Sequence, residues 1–281
     1  MKRLRLLLLI LTLLACLFAF YYYRQNAVRV ETVWLQSQVM GKVVPYNVIL
    51  PRGYHLPSPW RLRYPVLYLL HGHGGNYSSW IYQTSLISYL SAYNIVIVTP
   101  EGEDGWYTDS ATQEPAKHET FVVRELIPDV QSRYRVLAER KGRAIAGNSM
   151  GGYGALKFAL KYPEMFEFAA AMSGAFDAPA RTDDLSIMKT FGPPDSPTRK
   201  TNNLAELASV AKTEPGPNFY FDCGKDDPWL EINRELHAVF LKHGIQHDYR
   251  ESTGAHDWAY WNRQVRDVLA LGAANMAQAH R

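Results

Sequence analysis

The stretch Arg143-Ala144-Ile145-Ala146-Gly147-Asn148-Ser149-Met150-Gly151-Gly152 is the most informative part of this sequence. It starts as a short apolar run, reaches a serine placed between glycines, and continues into the Ala- and Leu-rich segment 150–162. The run predicts a buried strand, and the segment after it predicts a helix. Glycines two residues before and two residues after Ser149 permit a tight turn between the two elements. The pattern Gly-x-Ser-x-Gly between a strand and a helix is typical of a nucleophile elbow, which lifts the serine hydroxyl above the sheet.

Strand and helix patterns alternate along the rest of the chain. Short, continuously apolar runs predict parallel strands that are buried on both faces. The alternation predicts a three-layer α/β domain, in which helices cover both faces of a mostly parallel central sheet. Together with the nucleophile elbow, it predicts the α/β-hydrolase fold. The predicted strands are 28–36, 42–50, 64–70, 94–99, 143–147, 166–173, 218–224 and 246–252, and the main predicted helices are 119–134, 150–162, 230–243 and 258–276.

Composition limits the classes of function. The chain has 281 residues, of which 47% are apolar and 20% charged, and this suits one large domain rather than a disordered chain. The net charge of +3 is small and shows no clustered basic face, so no nucleic-acid partner is expected. Cys16 lies in the N-terminal apolar run and Cys223 in a predicted buried strand, so no disulfide between them is expected.

Residues 1–27 are predicted to be a segment separate from the catalytic domain, 28–281. Lys2, Arg3 and Arg5 precede an apolar run that ends in three tyrosines, which favours an uncleaved signal anchor in a membrane. A lipoprotein signal ending at Cys16 and a cleaved signal peptide are the alternatives. All three place the domain outside the cytoplasm, whereas a buried N-terminal helix does not.

Segment 178–217 departs from the alternating pattern. It is rich in Pro, Asp, Thr and Asn and carries only short helical patterns. We expect it to be an insertion over the carboxyl edge of the sheet, where ligands bind in such folds.

A serine nucleophile needs a general base and a group that orients this base. In a fold with a nucleophile elbow the chain order is Ser, then Asp or Glu, then His. His256 directly follows the last predicted strand and is the predicted base. Two aspartates, Asp226 and Asp227, follow the strand 218–224, and geometry alone leaves both open. The other late histidines lie on a helix, at a strand start or in the tail: His237, His243, His247 and His280.

An oxyanion hole requires two N–H donors. The predicted donors are the backbone N–H groups of Met150, directly after the nucleophile, and of His73, in the loop after the strand 64–70. His71 and His73 also suggest a metal pair, but no third ligand is near them in the sequence. We therefore expect neither a metal nor a cofactor.

These residues resemble the esterase D or putative esterase family, which includes S-formylglutathione hydrolases, feruloyl and acetylxylan esterases, tributyrin esterases and mycolyltransferases. The resemblance covers about residues 28–270 and implies that the acid is the last residue of Gly224-x-x-Asp227. Asn148 departs from the apolar residue that is common beside the family's serine. The matching segments are 68–75 with Trp80, 105–110, 119–121, 125–127, 143–155, Gly224-x-x-Asp227 and 254–261.

The resemblance implies a serine esterase that hydrolyses a carboxylic ester through an acyl-serine intermediate. The expected substrate is a small-molecule or carbohydrate ester, and Trp106, Tyr107, Trp258 and Trp261 are predicted to line its pocket. One alternative is an acyltransferase of the mycolyltransferase type, which passes the acyl group to a sugar hydroxyl. The other is a non-catalytic carbohydrate-binding module on the same scaffold.

Overall fold

The computed structural model describes residues 2–56, 62–211 and 216–277. Residues 212–215 of the predicted insertion and His280 lie outside this part of the chain. The first helix is α1 (Lys2–Gln25). No helix among the described residues is long and apolar enough to cross a bilayer.

In the described part of the chain, eight strands form one sheet in the order β1-β2-β4-β3-β5-β6-β7-β8. Only β2 runs against its neighbours, and the pairs from β4 through β3 to β8 are all parallel. The predicted mostly parallel sheet is therefore confirmed, with strand ends moved by one or two residues. The strands are β1 (Arg29–Ser37), β2 (Lys42–Leu50), β3 (Val66–Leu70), β4 (Val96–Pro100), β5 (Arg143–Asn148), β6 (Phe168–Met172), β7 (Asn218–Gly224) and β8 (His247–Ser252).

Helices connect the strands. The predicted helix 119–134 is divided into α4, a π-helical turn (Val122–Leu126) and α5, whereas the other three long helices are present nearly as predicted. Short 3₁₀ turns lie at Arg140–Gly142 and Ala178–Ala180. The α-helices after α1 are α2 (Ser79–Gln83), α3 (Leu86–Leu90), α4 (His118–Phe121), α5 (Ile127–Arg133), α6 (Met150–Lys161), α7 (Leu185–Phe191), α8 (Pro197–Thr201), α9 (Leu204–Val210), α10 (Leu230–Lys242) and α11 (Trp258–Ala277).

Strand β3 shows why the apolar runs are continuous. Successive side chains of a strand point to opposite faces of the sheet. Leu67 belongs to the apolar cluster that includes residues of α3 and α11, whereas Tyr68 belongs to the cluster that includes residues of α6 and α10. Both faces of the sheet are therefore covered by helices, which gives three layers.

The parallel direction of the strands places their following loops together. β3, β5, β7 and β8 all end at the same edge, and Leu70 at the end of β3 pairs with Gly147 near the end of β5. The strand order changes direction around β3 and β5, which is where ligand sites form in open α/β sheets. Three of the loops at this edge carry the predicted catalytic residues.

Candidate active site

Ser149 occupies a sharp turn between β5 and α6. Its φ and ψ angles are 53° and −119°, a strained conformation for a residue with a side chain. A Cβ on Gly147 would lie 2.5 Å from the Gly151 backbone, and a Cβ on Gly151 would lie 2.5 Å from the Leu70 carbonyl oxygen. Both positions require glycine, because backbone atoms occupy the space that a side chain would need. This close packing is typical of a nucleophile elbow.

The structure brings Ser149, His256 and Asp227 together. Ser149 Oγ lies 3.0 Å from His256 Nε2, and His256 Nδ1 lies 2.9 Å from Asp227 Oδ2 and 3.1 Å from Oδ1. A carboxylate accepts hydrogen bonds, so Nδ1 carries the proton and Nε2 is left to accept from the serine hydroxyl. The arrangement is that of a nucleophile, a base and an orienting acid.

Asp227 and Asp226 have different environments. Asp227 is buried and accepts a hydrogen bond from the Trp229 backbone N–H, 2.8 Å away. Burial would raise the pKa of Asp227, but the hydrogen bonds from His256 and Trp229 outweigh it and hold the pKa below its usual value. Asp226 is exposed, and its backbone N–H donates to the Gly254 carbonyl oxygen. The two aspartates are therefore distinguished by which way the turn after β7 directs each side chain.

Two of the competing histidines contact each other instead of the serine. His237 Nδ1 lies 2.7 Å from His247 Nε2, between α10 and β8. His247 Nδ1 also lies 2.7 Å from the Ile245 carbonyl oxygen. Neither ring is directed at Ser149.

The predicted oxyanion donors flank the nucleophile. Met150 is the first residue of α6, so its N–H has no acceptor within the helix. A Cβ on Gly72 would lie 3.2 Å from Ser149 Cβ, which places the loop with His73 directly beside the serine. The described residues contain no group of three or more His, Cys, Asp or Glu side chains that could hold a metal ion.

A cavity of about 480 Å³ opens above Ser149. Trp106, Trp258 and Trp261 line this cavity. Tyr107 does not line it and is fully buried in the core, where its hydroxyl donates to the His71 carbonyl oxygen at 3.0 Å. Trp106 and Tyr107 both have positive φ angles, 52° and 50°, and this unusual backbone sends the two neighbouring rings in different directions.

Sequence reasoning missed several residues that line the cavity, among them Gln83, Arg181, Asp184 and Trp229. Gln83 lies at the end of α2, Trp229 lies two residues after Asp227, and Arg181 and Asp184 belong to the segment 178–217. The guanidinium of Arg181 lies over the Trp229 ring, 4.8 Å from its centroid. No motif marks these residues, since only tertiary packing brings them to the serine from α2, the turn after β7 and the segment 178–217.

Arg199 holds several parts of the predicted insertion together. It is 6% exposed, and its guanidinium donates to the carbonyl oxygens of Pro179, Arg181, Gly192 and Pro193 at 2.7–3.0 Å. One buried side chain thus joins three parts of the segment 178–199. Because Arg181 is among these partners, the contact also fixes the backbone from which Arg181 reaches the cavity.

The sheet topology and the strained serine turn define a protein of the α/β-hydrolase class. A family model described as putative esterase matches residues 37–270. The chain therefore belongs to the putative esterase family, as the resemblance indicated, and is a carboxylic ester hydrolase of that family.

Individual relatives agree with this assignment. An acetyl esterase of Caldicellulosiruptor saccharolyticus is 33% identical over 216 residues, covering 72% of this chain and 81% of the relative. An esterase of Mycobacterium tuberculosis is 32% identical over 262 residues, covering 83% of this chain but only 56% of the relative. A solved structure of a ferulic acid esterase is similar with a TM-score of 0.78 and 27% identity, covering 89% of this chain and 99% of that chain.

Proposed function

We propose that this protein is a serine esterase in which Ser149 is the nucleophile, His256 the general base and Asp227 the residue that orients His256. The observation that carries the proposal is the unbroken chain of hydrogen bonds from Ser149 Oγ through His256 to Asp227, at the base of a cavity. The strained backbone of Ser149 supports it, because strain of this kind exposes a nucleophile.

The mechanism has two halves. His256 Nε2 takes the hydroxyl proton while Ser149 Oγ attacks the ester carbonyl carbon, and the N–H groups of His73 and Met150 stabilise the resulting oxyanion. The tetrahedral intermediate then expels the alcohol, which receives the proton from His256, and an acyl-serine remains. Water attacks the acyl carbon with His256 again as base, and release of the carboxylic acid restores Ser149.

The proposed substrate is a small ester with a short acyl group or an acyl group linked to a sugar. A cavity of about 480 Å³ is at the lower end of the range for small-molecule sites. Its wall combines the rings of Trp106, Trp229, Trp258 and Trp261 with the polar side chains of Arg181 and Asp184. One relative is named an acetyl esterase, and one similar solved structure is named a ferulic acid esterase. Both names refer to small acyl groups, which supports the same substrate class here.

The test is hydrolysis of p-nitrophenyl esters from acetate to laurate by the full chain, by Ser149→Ala and by Ser132→Ala. Ser132 is exposed on α5, so its variant is a matched control and should keep wild-type activity. Hydrolysis that disappears only in Ser149→Ala, with a preference for short esters, is the expected result. Activity that survives in Ser149→Ala would exclude this serine as the nucleophile.

Two further measurements address the alternatives. Product analysis with a sugar present shows whether the acyl group goes to water or to a sugar hydroxyl, and predominant transfer would identify an acyltransferase. Labelling with a fluorophosphonate should modify wild type and leave Ser149→Ala unmodified. A wild-type protein that is neither labelled nor active would instead be a binding module.

A further inference from the structure

His71 is a buried histidine with no part in the proposed mechanism. It directly follows β3 and is 1% exposed. Its Nδ1 lies 2.8 Å from the Gly72 carbonyl oxygen, and the Gly102 backbone N–H donates to its Nε2 at 2.9 Å. Glu101 Oε1 lies 3.3 Å from the same Nε2 and shares the Gly102 N–H at 3.1 Å. Both ring nitrogens therefore have fixed partners.

These partners determine where the ring carries its proton. A carbonyl oxygen only accepts hydrogen bonds, so His71 Nδ1 must be the donor to Gly72. This donor role of Nδ1 does not depend on whether Nε2 interacts with Glu101 or with the Gly102 N–H, because the Gly72 oxygen has no proton to give. His71 is thus built to donate one hydrogen bond to the Gly72 carbonyl oxygen.

The Gly72 carbonyl belongs to the same peptide unit as the His73 N–H. In a planar trans peptide the C=O and the N–H point in opposite directions. The Gly72 oxygen is held by two donors, His71 Nδ1–H and the Gly75 backbone N–H at 3.0 Å. Holding the oxygen on one side therefore fixes the direction of the His73 N–H on the other side.

The packing around this peptide leaves little room. A Cβ on Gly75 would lie 3.0 Å from the Gly72 oxygen and 3.1 Å from His71 Nδ1. A Cβ on Gly72 would lie 3.1 Å from Asn148 Nδ2 and 3.2 Å from Ser149 Cβ. The absence of side chains at both glycines lets the peptide unit fit between His71 and the nucleophile.

We propose that His71 is a positioning residue of the oxyanion hole, which locks the Gly72–His73 peptide so that the His73 N–H faces the reacting carbonyl. The proposal rests on the proposed function, in which His73 is one of the two donors. Rotation of this peptide would remove a donor and turn the Gly72 carbonyl oxygen toward the developing negative charge. Loss of one oxyanion donor lowers kcat by roughly 100- to 1,000-fold in a serine hydrolase.

The experiment compares His71→Leu with His71→Asn in p-nitrophenyl acetate hydrolysis and in the affinity for a boronic acid, which mimics the tetrahedral intermediate. Leucine has no donor, whereas the asparagine amide can place an N–H near the position of Nδ1. We expect kcat of His71→Leu to fall by about 10- to 1,000-fold with KM changed less than about threefold. The boronic acid should bind more weakly by a similar factor, and His71→Asn should recover most of both losses.

Active-site titration with a fluorophosphonate and circular dichroism establish how much folded enzyme each variant contains. Normal kcat and normal boronic-acid affinity in folded His71→Leu would overturn the inference, and so would equal losses in the leucine and asparagine variants. If His71→Leu does not fold, Gly75→Ala replaces it, because its Cβ crowds the same hydrogen bond; a normal kcat there also overturns the inference. Failure of the proposed function would be recognised by a different result, because the Ser149→Ala variant would then remain active.

Discussion

At the residue scale, the proposed triad depends on which of the two adjacent aspartates after β7 faces His256. Both carry a carboxylate, but only Asp227 is directed inward, to within 2.9 Å of His256 Nδ1. In the proposed mechanism, its buried carboxylate stabilises the charged imidazole that forms when His256 takes the serine proton. Asp226 differs by one position and reaches solvent instead. A substitution of Asp226 is therefore a control for the same substitution of Asp227, one position away.

Asp227→Asn should lower kcat by about 1,000- to 10,000-fold with little change in KM. An amide in this place can donate to Nδ1, which favours the tautomer with its proton on Nε2 and removes the acceptor for Ser149. Asp226→Asn should remain within about twofold of wild type, because its carboxylate is exposed. Steady-state kinetics with p-nitrophenyl acetate measure both variants, and a larger loss in Asp226→Asn would reverse the assignment.

At the scale of elements, the elbow joins β5 and α6 so closely that backbone atoms fill the space where Gly147 and Gly151 would otherwise carry a Cβ. Gly151 packs against the end of β3, so the same contact fixes the spacing between β3 and the helix that presents Met150. Gly272, on α11, has only ordinary contacts at 3.6 Å or more around its Cβ position. The two helical glycines therefore have opposite expected responses to the same substitution.

Gly151→Ala should lower the free energy of unfolding by about 2 kcal/mol or more, because its Cβ would lie 2.5 Å from the Leu70 carbonyl oxygen. Gly272→Ala should leave that free energy unchanged or raise it by up to about 1 kcal/mol through helix propensity. Urea unfolding followed by circular dichroism compares the two variants. Equal stability of both variants would show that the elbow tolerates a side chain at position 151.

At the scale of the whole molecule, a buried carboxyl group links stability to pH. Asp222 lies on β7 and is fully buried, and its Oδ1 accepts a hydrogen bond from the Tyr260 hydroxyl of α11 at 2.7 Å. Its Oδ2 has no hydrogen-bond partner among the described residues. Burial raises the pKa of Asp222 from 3.8 to about 7. The folded protein therefore keeps this proton over a pH range in which the unfolded chain has released it.

Such a group makes the folded state bind more protons than the unfolded state between about pH 4 and pH 7, so its contribution to stability falls as the pH rises. Asp222→Asn should remove this part of the pH dependence. Relative to wild type, the variant should gain a few kcal/mol in the free energy of unfolding between pH 4 and pH 8.

Urea unfolding of wild type, Asp222→Asn and Asp226→Asn at several pH values measures this difference. Asp226→Asn serves as the control, since its exposed carboxylate should leave the wild-type pH dependence intact. If the free energy of unfolding changes with pH in the same way in all three proteins, Asp222 is already ionised at low pH in the folded state.

The α/β class, the strands, the family and the candidates Ser149 and His256 were predictable from the sequence, because local patterns carry this information. Apolar runs and glycine spacing act over a few residues, and strand order then places the following loops at one edge. The location of the domain outside the cytoplasm stays a prediction from the N-terminal sequence. The sequence also predicted the oxyanion donors, whose loops lie beside Ser149.

Which side chains meet was not predictable from the sequence and depends on the packing of the folded domain. Asp227 points inward, whereas Asp226 points to solvent. Tyr107 is buried in the core, although its neighbour Trp106 lines the cavity. Arg181 reaches the cavity from the segment 178–199, which Arg199 holds together. Each outcome depends on backbone direction within a few ångströms and on contacts between segments far apart in the chain. Local sequence patterns do not contain that information, since the packing of the whole domain fixes these directions.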